Sequence, residues 1–354
     1  MGEHPRPASD PAAAEVVAEA PASAANLGPG FDALGVALEL RLQVRMALRP
    51  RRPEQAGEAA PWPPTLGQLR VGGEAAGQVE EGPENLVWKA AEAVFARMGP
   101  RPGPETSGQA GPGESDGWIV DVWTAGAIPL ASGLGSSAAA VVAAMWAANA
   151  LFGAPLAYEQ LLDLAAAFEG HPDNVAPAYL GGWVAAGVRD GRVVAVRIPA
   201  PRGEVVAVVA VPAMKLPTAE ARKVLGSSVS LGDAVFNLQG AALVAACVTT
   251  GRWSWLRAAM EDRLHQPARL PLVPGAAGAI RRAVVAGAYG ACLSGAGPSV
   301  LALAPPWRAD EVAAAMEGAF AEAGLACRRL VLAVADQGVR VRTRAAAAQD
   351  VEGD

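Results

Sequence analysis

Residues 129–139, with the sequence PLASGLGSSAA, combine small residues and serines in a way that suits the binding of an anion. Small residues let the backbone approach a ligand closely, and consecutive N–H groups can surround an anion. The segment follows a predicted strand and opens a long apolar helix, whose N-terminus adds positive potential at the same place. We therefore predict a phosphate-binding loop, although the G-K-[ST] ending of a Walker A loop is missing. The alternative is a tight turn in which Ser136 or Ser137 only caps the helix.

Two other glycine-rich segments lie before and after this loop in the chain: residues 20–35, APASAANLGPGFDALG, and residues 292–299, CLSGAGPS. Three polar segments lie between these two, and they are residues 169–178 (EGHPDNVAPA), 216–223 (LPTAEARK) and 261–269 (EDRLHQPAR). Their side chains include carboxylates and arginines. An arginine binds a carboxylate through a planar fork of N–H groups, and a carboxylate can bind an ammonium group.

The three glycine-rich segments resemble, in order and sequence, the three signature motifs of the GHMP kinase superfamily, which includes galactokinase, homoserine kinase, mevalonate kinase and phosphomevalonate kinase. The three polar segments and the first motif, around Asn26 and Asp32, resemble the homoserine kinases in particular. The resemblance extends from about residue 14 to about residue 335. It implies an α+β, two-domain GHMP kinase fold with the active site in the inter-domain cleft. It also implies a cytoplasmic, Mg²⁺-dependent enzyme that uses ATP to phosphorylate the hydroxyl of L-homoserine, giving O-phospho-L-homoserine for threonine biosynthesis.

The resemblance assigns the nucleotide and the metal ion to particular residues. Ser137 and Glu169 match the family's Mg²⁺ ligands, and one hydroxyl with one carboxylate suffices because Mg²⁺ also binds nucleotide phosphates and water. Asn85, which precedes a predicted helix, resembles an adenine-side residue. The loop residues assigned to nucleotide binding are Pro129, Leu130, Ala131, Ser132, Gly133, Leu134, Gly135, Ser136, Ser137, Ala138 and Ala139.

The acceptor site is assigned in the same way. The positions that match the family's homoserine contacts are Asn26, Asp32, Asp173, Thr218, Arg222 and Arg269. Homoserine carries a carboxylate, an ammonium and a hydroxyl, so the arginines suit its carboxylate and Asp32 or Asp173 suits its ammonium. Arg263 is a second choice for the role of Arg269.

The predicted catalytic residues are Asp173, Asn174, Ser137 and Glu169. A strong general base is not expected, because Lys89 is the only lysine in the first 200 residues and lies outside the motifs. Asp173 or Asn174 is expected only to orient the acceptor hydroxyl, whose proton passes to the phosphate or to solvent.

Each assignment has a structural alternative. In the structural alternative, Glu169 is an ordinary exposed residue at a helix end. Asp173 and Asn174 then only cap the following helix. Arg222 and Arg269 are otherwise surface ion pairs that contribute under about 1 kcal/mol. The third glycine-rich segment is expected to support the phosphate loop, with Cys292 as a small buried group.

Composition limits the other classes of function. The 354 residues are 52% hydrophobic and 18% charged, which excludes a disordered protein, and the net charge of −6 argues against binding to nucleic acid or to an anionic membrane. Two uncharged stretches, 122–158 and 283–307, are interrupted by glycine clusters and predict buried globular segments. The three histidines are too few for a His-based metal site. The three cysteines, Cys247, Cys292 and Cys327, form no disulfide framework, which favours the cytoplasm.

The predicted organisation places a disordered tail at residues 1–13, an ATP-binding domain at 14–200, a second domain at 201–340 and a tail at 341–354. Insertions that leave the site alone are expected near residues 49–80 and 99–117. Strands are predicted at 15–20, 36–47, 118–125, 204–212, at Leu293, and at 300–304 and 327–334, with a hairpin at 184–198. Helices are predicted at 84–98, 137–152, 158–169, 219–225, 233–249, 253–264 and 278–286.

Two rival functions are retained at this stage. A sister kinase would act on mevalonate or a sugar, but mevalonate has no ammonium group to use the two acidic residues of the acceptor site. A non-catalytic ligand sensor would keep the fold and lose phosphoryl transfer, which the presence of both Ser137 and Glu169 argues against. A homodimer is expected.

Overall fold

The computed structural model describes residues 14–51, 62–100 and 117–345. The strands are β1 (Ala14–Ala25), β2 (Leu34–Pro50), β3 (Thr65–Val71), β4 (Trp118–Gly126), β5 (Trp183–Arg189), β6 (Arg192–Ile198), β7 (Val206–Pro212), β8 (Gly290–Leu293), β9 (Val300–Ala304), β10 (Cys327–Leu332) and β11 (Arg340–Ala345). The helices are α1 (Leu86–Met98), α2 (Ser136–Leu151), α3 (Tyr158–Glu169), α4 (Pro172–Leu180), α5 (Thr218–Lys223), α6 (Leu231–Thr250), α7 (Leu256–Ala259), α8 (Gln266–Arg269), α9 (Ala276–Val285) and α10 (Ala309–Glu322).

The first sheet has seven strands among the described residues, in the order β11-β1-β2-β4-β3, with β5 paired to β2 and β6 paired to β5. Among the strand pairs that the structure describes in this sheet, only β3 and β4 are parallel. The alternation predicted for residues 36–47 is visible over part of β2, where Leu42, Val44 and Met46 are buried while Gln43 is exposed and Arg45 is half-buried. Helix α2 covers β1 and β2, and 12 of its 16 residues are buried, as its apolar sequence predicts.

The second sheet has four antiparallel strands in the order β10-β7-β9-β8. Strand β7 is apolar throughout because both of its faces are buried. Ala207 and Val209 pack in the core shared with the first sheet, whereas Val208 and Ala210 pack in a second core with residues of α9 and α10. The two halves of the molecule therefore share one continuous core on one side of the second sheet.

Most predicted elements are present, and the exceptions have identifiable causes. The expected tail at 341–354 is wrong for residues 341–345, which belong to β11 and pair with β1. The stretch near 49–80, for which no strand was predicted, contains β3 beside β4, and its status as an insertion stays a prediction. Helices α4 and α10 are absent from the predicted elements. The helix predicted over 253–264 is shortened to a 3-10 turn at Trp253–Trp255 followed by the one-turn helix α7. The expected tail at 1–13 and most of the stretch at 99–117 lie outside the described residues.

Within the described part of the chain, α6 is the helix long and apolar enough to cross a membrane by length and composition alone. About a quarter of its apolar window (28%) is buried. Its buried side carries the polar residue Asn237, which donates hydrogen bonds to the Pro29 carbonyl oxygen and to Asp262 Oδ1. This side of α6 is therefore packed against the protein.

Gly35 in β2 determines how closely α4 approaches the first sheet. A Cβ atom at this position would lie 2.2 Å from the Asp173 carbonyl oxygen and 2.7 Å from Pro177 Cγ, both in α4. We predict that Gly35→Ala lowers the free energy of unfolding by about 1–3 kcal/mol, because α4 must move away from β2. Thermal and urea unfolding measure this change.

The matched control is Gly278→Ala in α9, where the nearest atom to the new methyl group is Ala319 Cβ at 3.4 Å. Alanine favours a helix over glycine by up to about 1 kcal/mol, so this variant should be as stable as the parent or more stable. Equal destabilisation by the two substitutions would contradict the steric argument.

Candidate active site

The predicted phosphate-binding loop joins β4 to α2, and its two glycines occupy positions that require glycine. Gly133 has φ 82° and Gly135 has φ 65°, both in the left-handed region. A Cβ atom would lie 2.3 Å from the Ser294 carbonyl oxygen at Gly133, and 2.1 Å from Ser23 Oγ at Gly135. The backbone is thus packed closely against two other segments of the chain.

The third glycine-rich segment holds this loop by its carbonyl oxygens. Ser294 Oγ donates to the Gly133 carbonyl at 2.7 Å, and the Ser299 N–H donates to the Ser132 carbonyl at 3.1 Å. The supporting role predicted for this segment is confirmed by these contacts. Cys292 is fully buried, and burial raises the pKa of its thiol to about 12, so it is a packing residue as expected.

The N-terminus of α2 remains open to a ligand. Gly135 is its N-cap residue, and in the described structure no side chain caps the N–H groups of the first turn. A helix N-terminus without a cap presents several N–H donors and a positive potential. The alternative in which Ser136 or Ser137 only caps the helix is therefore not supported.

Ser137 and Glu169 meet at the edge of the loop. Ser137 Oγ donates to Glu169 Oε1 at 2.6 Å, which joins the first turn of α2 to the last residue of α3. Glu169 is half-buried, and burial raises the pKa of its carboxyl while the Ser137 hydrogen bond lowers it. The pair presents two hard oxygen atoms of the kind that Mg²⁺ binds.

Asp173 and Asn174 lie in the first turn of α4, beneath the loop. Asp173 is only 3% exposed, and its Oδ1 lies 2.8 Å from His171 Nδ1. Asn174 Nδ2 donates to Asp173 Oδ1 at 3.3 Å, and Ser23 Oγ donates to Asn174 Oδ1 at 3.0 Å. The contact with Asp173 raises the pKa of His171, although burial opposes the shift. The residue in the N-cap position is His171, and no side chain makes a capping bond there, so the capping alternative is not supported.

Asp32, in the first glycine-rich segment, and Arg222, in α5, form a two-point ion pair. Arg222 Nη2 donates to Asp32 Oδ1 at 2.7 Å, and Nη1 donates to Oδ2 at 3.2 Å. The side chain of Arg222 is 37% exposed and that of Asp32 is 34% exposed. The hydrogen bond to Asp32 raises the pKa of Arg222. Asn26 fixes the turn that carries Asp32, because its Oδ1 accepts from the Asp32 N–H and its Nδ2 donates to the Gly295 carbonyl.

Arg269 is almost completely buried, at 1% exposure, and is not a surface ion pair. Its Nε donates to the Ala221 carbonyl at 3.2 Å, and its Nη1 lies 3.3 Å from both His265 Nδ1 and the Gly295 carbonyl oxygen. Burial and the nearby Arg222 lower the pKa of Arg269. The second choice, Arg263, instead lies over the ring of Phe236 at 3.9 Å with a side chain that is 55% exposed.

Thr218 and Asn85 are placed less centrally. Thr218 is the exposed first residue of α5, one turn before Arg222 on the same helix. Asn85 is the N-cap of α1: its Oδ1 accepts from the Val87 N–H at 2.9 Å and its Nδ2 donates to the Glu80 carbonyl at 2.5 Å. These two local hydrogen bonds occupy both the oxygen and the nitrogen of the Asn85 side chain, and the adenine-side role of Asn85 stays a prediction.

Three residues of this cluster were not predicted as site residues: Ser23, Phe31 and His265. Each lies inside one of the six motifs, and Phe31 directly precedes Asp32 while Ser23 lies three residues before Asn26. The Phe31 ring lies under both arginines, with Cζ-to-centroid distances of 5.6 Å for Arg222 and 5.3 Å for Arg269. No residue spacing reveals these contacts, because they join segments that are distant in the sequence.

Two surface grooves elsewhere do not coincide with this cluster. One, of about 790 Å³, is lined by Trp62, Leu66 and Trp88, and another, of about 430 Å³, is lined by Ile280 and by residues adjacent to His265. Neither contains the Ser137–Glu169 pair or the Asp32–Arg222 pair. Convergence of charged groups therefore identifies the candidate site better than groove size does.

Comparison with family models agrees with the motifs. Residues 85–182 match the GHMP kinases N terminal domain, and residues 242–322 match the GHMP kinases C terminal domain. A homoserine kinase from Moorella thermoacetica is 41% identical over 322 residues, which cover 91% of this chain and 98% of that protein. A homoserine kinase from a Synechococcus species is 37% identical over 332 residues, covering 93% and 96% respectively.

Solved structures give the same result. A homoserine kinase from Cytophaga hutchinsonii aligns with a TM-score of 0.77 and 26% identity, covering 96% of this chain and all of that one. A mevalonate kinase from L. major aligns with a TM-score of 0.61, covering 89% of this chain and 95% of that one, but at 17% identity it shows the shared fold alone. The chain therefore belongs to the homoserine kinase family of the GHMP kinases, an ATP-dependent kinase family that acts on an alcohol.

Proposed function

We propose that this protein uses ATP to phosphorylate the hydroxyl of L-homoserine, giving O-phospho-L-homoserine for threonine biosynthesis. The observation that carries the proposal is the meeting of two kinds of group in one cluster. An open, glycine-rich helix N-terminus suits phosphates, and beside it two arginines and two aspartates converge. Homoserine, with one carboxylate, one ammonium and one hydroxyl, matches this set of charges.

The acceptor binds among the charged side chains. Arg222 and Arg269 bind its carboxylate, and Asp32, with Asp173 behind it, binds its ammonium group. Asp32 and Arg222 already neutralise one another through two hydrogen bonds. A zwitterion bound between them replaces one ion pair with two, so the charges stay balanced. Asn26 holds the turn that carries Asp32, and Thr218 contributes a hydroxyl from the start of α5.

The nucleotide binds along residues 129–139, with its phosphates against the N–H groups at the start of α2 and its adenine towards Asn85. Ser137 and Glu169 would hold Mg²⁺, and the structure fits this assignment because both oxygens already meet at 2.6 Å. No cluster of three acidic, His or Cys side chains exists among the described residues, which suits an ion that keeps phosphate and water ligands. When bound, Mg²⁺ neutralises phosphate charge.

The transfer is a direct displacement. The acceptor hydroxyl oxygen forms a bond to the γ-phosphorus while the bond to the β,γ-bridging oxygen breaks, and ADP leaves with that electron pair. Asp173 and Asn174 orient the hydroxyl, and its proton passes to the phosphate or to solvent. Lys89 pairs with Glu84 at 2.5 Å on the surface of α1 and supplies no base. Positioning and charge neutralisation therefore carry the catalysis.

An assay coupled to ADP release tests the proposal with homoserine, mevalonate and galactose as acceptors. Homoserine is expected to give by far the highest kcat/KM. Faster turnover of mevalonate or galactose would identify a sister kinase instead. Binding of ATP without ADP formation from any acceptor would identify a ligand sensor.

We also propose a cytoplasmic homodimer that needs neither nucleic acid nor a membrane. Support for the dimer comes from α6, whose exposed side carries Leu231, Val235, Leu238 and Leu243. An exposed apolar stripe of this kind suits burial against a second copy. Sedimentation velocity measures the oligomeric state, and a species of monomer mass at micromolar concentration would contradict it.

We predict that Ser137→Ala and Glu169→Gln each lower kcat by at least about 100-fold, with a much smaller change in the KM for ATP. The reason is that oxygens holding a cation act mainly on charge that develops in the transition state. Steady-state kinetics over a range of Mg²⁺ concentrations provide the measurement.

The matched control is Glu159→Gln, at the exposed start of the same helix α3, which should leave both constants unchanged. An unaltered kcat in the Ser137 and Glu169 variants would rule out the metal assignment.

We predict that Arg222→Ala and Arg269→Ala each raise the KM for homoserine by about 10- to 100-fold, because a charged hydrogen bond contributes about 1.5–3 kcal/mol. The KM for ATP should change little. Arg263→Ala is the control, since its guanidinium lies over Phe236 on the exposed side of α6. If only Arg263→Ala raised the KM, the carboxylate would be bound by the second-choice arginine.

A further inference from the structure

His265 is a buried side chain with no role in the transfer as described so far. It is 0% exposed, immediately precedes α8, and lies between the turn of the first glycine-rich segment and Arg269. Its Nε2 lies 2.8 Å from the Gly28 carbonyl oxygen, and its Nδ1 lies 3.3 Å from Arg269 Nη1. The ring thus joins the two halves of the acceptor site.

We propose that His265 is a positioning residue: its neutral ring accepts a hydrogen bond from Arg269 and so aims the guanidinium at the carboxylate of the acceptor. The proposal rests on the proposed function, in which Arg269 binds that carboxylate.

The two hydrogen-bond partners of the His265 ring, the Gly28 carbonyl oxygen and Arg269 Nη1, are compatible with only one of its protonation states. A carbonyl oxygen can only accept, so Nε2 must carry a hydrogen. A guanidinium can only donate, so Nδ1 must carry none. Burial lowers the pKa of His265, which favours the same neutral form. Asp262 Oδ2 is 3.6 Å from Nε2, too far for a hydrogen bond, and it already accepts from the N–H groups of His265 and Gln266.

The hydrogen bonds of the Arg269 N–H groups show how the contact with His265 orients the guanidinium. Nε donates to Ala221, and Nη1 faces His265 and Gly295. Nη2 has no acceptor among the described residues, so it is the nitrogen left to bind a substrate carboxylate. A guanidinium is rigid and planar, so fixing Nε and Nη1 also fixes the direction in which Nη2 points.

Phe31 restricts the same two side chains from one side. Its ring stacks on His265 with a centroid distance of 5.3 Å and an angle of 25°, and it lies 5.3 Å from Arg269 Cζ. The imidazole can therefore neither rotate freely nor move away from the guanidinium. Arg269 is held by hydrogen bonds along its edge and by an aromatic ring across its face.

The test uses two substitutions of His265 that keep a side chain of similar size in its buried position. His265→Phe keeps an aromatic group against Phe31 but offers Arg269 no acceptor, whereas His265→Gln keeps both an acceptor and a donor. For His265→Phe we expect the KM for homoserine to rise about 5- to 10-fold, with kcat and the KM for ATP within twofold of the parent. His265→Gln should recover at least half of the loss on a logarithmic scale.

A carboxylate-free analogue makes the readout specific. The inhibition constant of 3-aminopropan-1-ol, which is homoserine without its carboxylate, should be the same in the parent and in His265→Phe. If His265 had a merely structural role, His265→Phe would lower the melting temperature or kcat. It would then leave the ratio of homoserine affinity to analogue affinity unchanged, and that result would overturn the proposal. Arg269→Ala tests the proposed carboxylate site separately from the positioning role of His265. If this variant leaves the KM for homoserine unaltered, the proposed carboxylate site itself is wrong.

The protonation state provides a measurement that needs no variant. The chain has three histidines, so a long-range ¹H–¹⁵N spectrum of the full-length protein near neutral pH contains three imidazole patterns. His265 is expected in the neutral form with hydrogen on Nε2. A pattern with hydrogen on Nδ1, or a doubly protonated ring, would overturn the proposal even if His265→Phe failed to fold.

Discussion

The arrangement of the candidate site depends on where the carbonyl oxygens of the glycine-rich loop at residues 129–139 are directed. A loop can offer its N–H groups to an anion only if its carbonyl oxygens are satisfied elsewhere. Here the Ser294 hydroxyl and the Ser299 N–H bind two of them, at Gly133 and Ser132. Both serines belong to the second half of the chain, between β8 and β9. The loop therefore has its binding shape only when the two halves are packed together.

Burial differs between the two pairs of charged residues in the proposed acceptor site. Asp173 and Arg269 are both nearly inaccessible, so each is held by hydrogen bonds and can change partners only at a cost in free energy. Asp32 and Arg222 are more exposed and can exchange their mutual contacts for those of a ligand. A rigid pair of charges with an adjustable pair beside it favours a small molecule of fixed, balanced charge over a neutral sugar.

The fold class that the motif resemblance implied is confirmed, whereas the roles assigned to the site residues stay predictions. Glycines in a loop, a serine at the start of a helix and an arginine in a polar segment are local signals. The structure places Gly133 in the loop, Ser137 in the first turn of α2 and Arg222 in α5. The motif resemblance, rather than periodicity, was needed to bring them together. Strands β3 and β11 were missed because each is stabilised by a distant partner, β4 in one case and β1 in the other. The contact of His265 with Arg269 was missed for a related reason: polarity and spacing do not show which nitrogen atom faces which acceptor.

The pairing of β11 with β1 has a consequence for the synthesis of the protein. Residues 14–19 of the first sheet pair with residues 340–345, so this part of the sheet is completed only after the chain has left the ribosome as far as residue 345. Until then β1 is an open edge strand while the rest of the sheet can already form. Such an edge can pair with neighbouring nascent chains, and chaperones that shield exposed backbone act on intermediates of this kind.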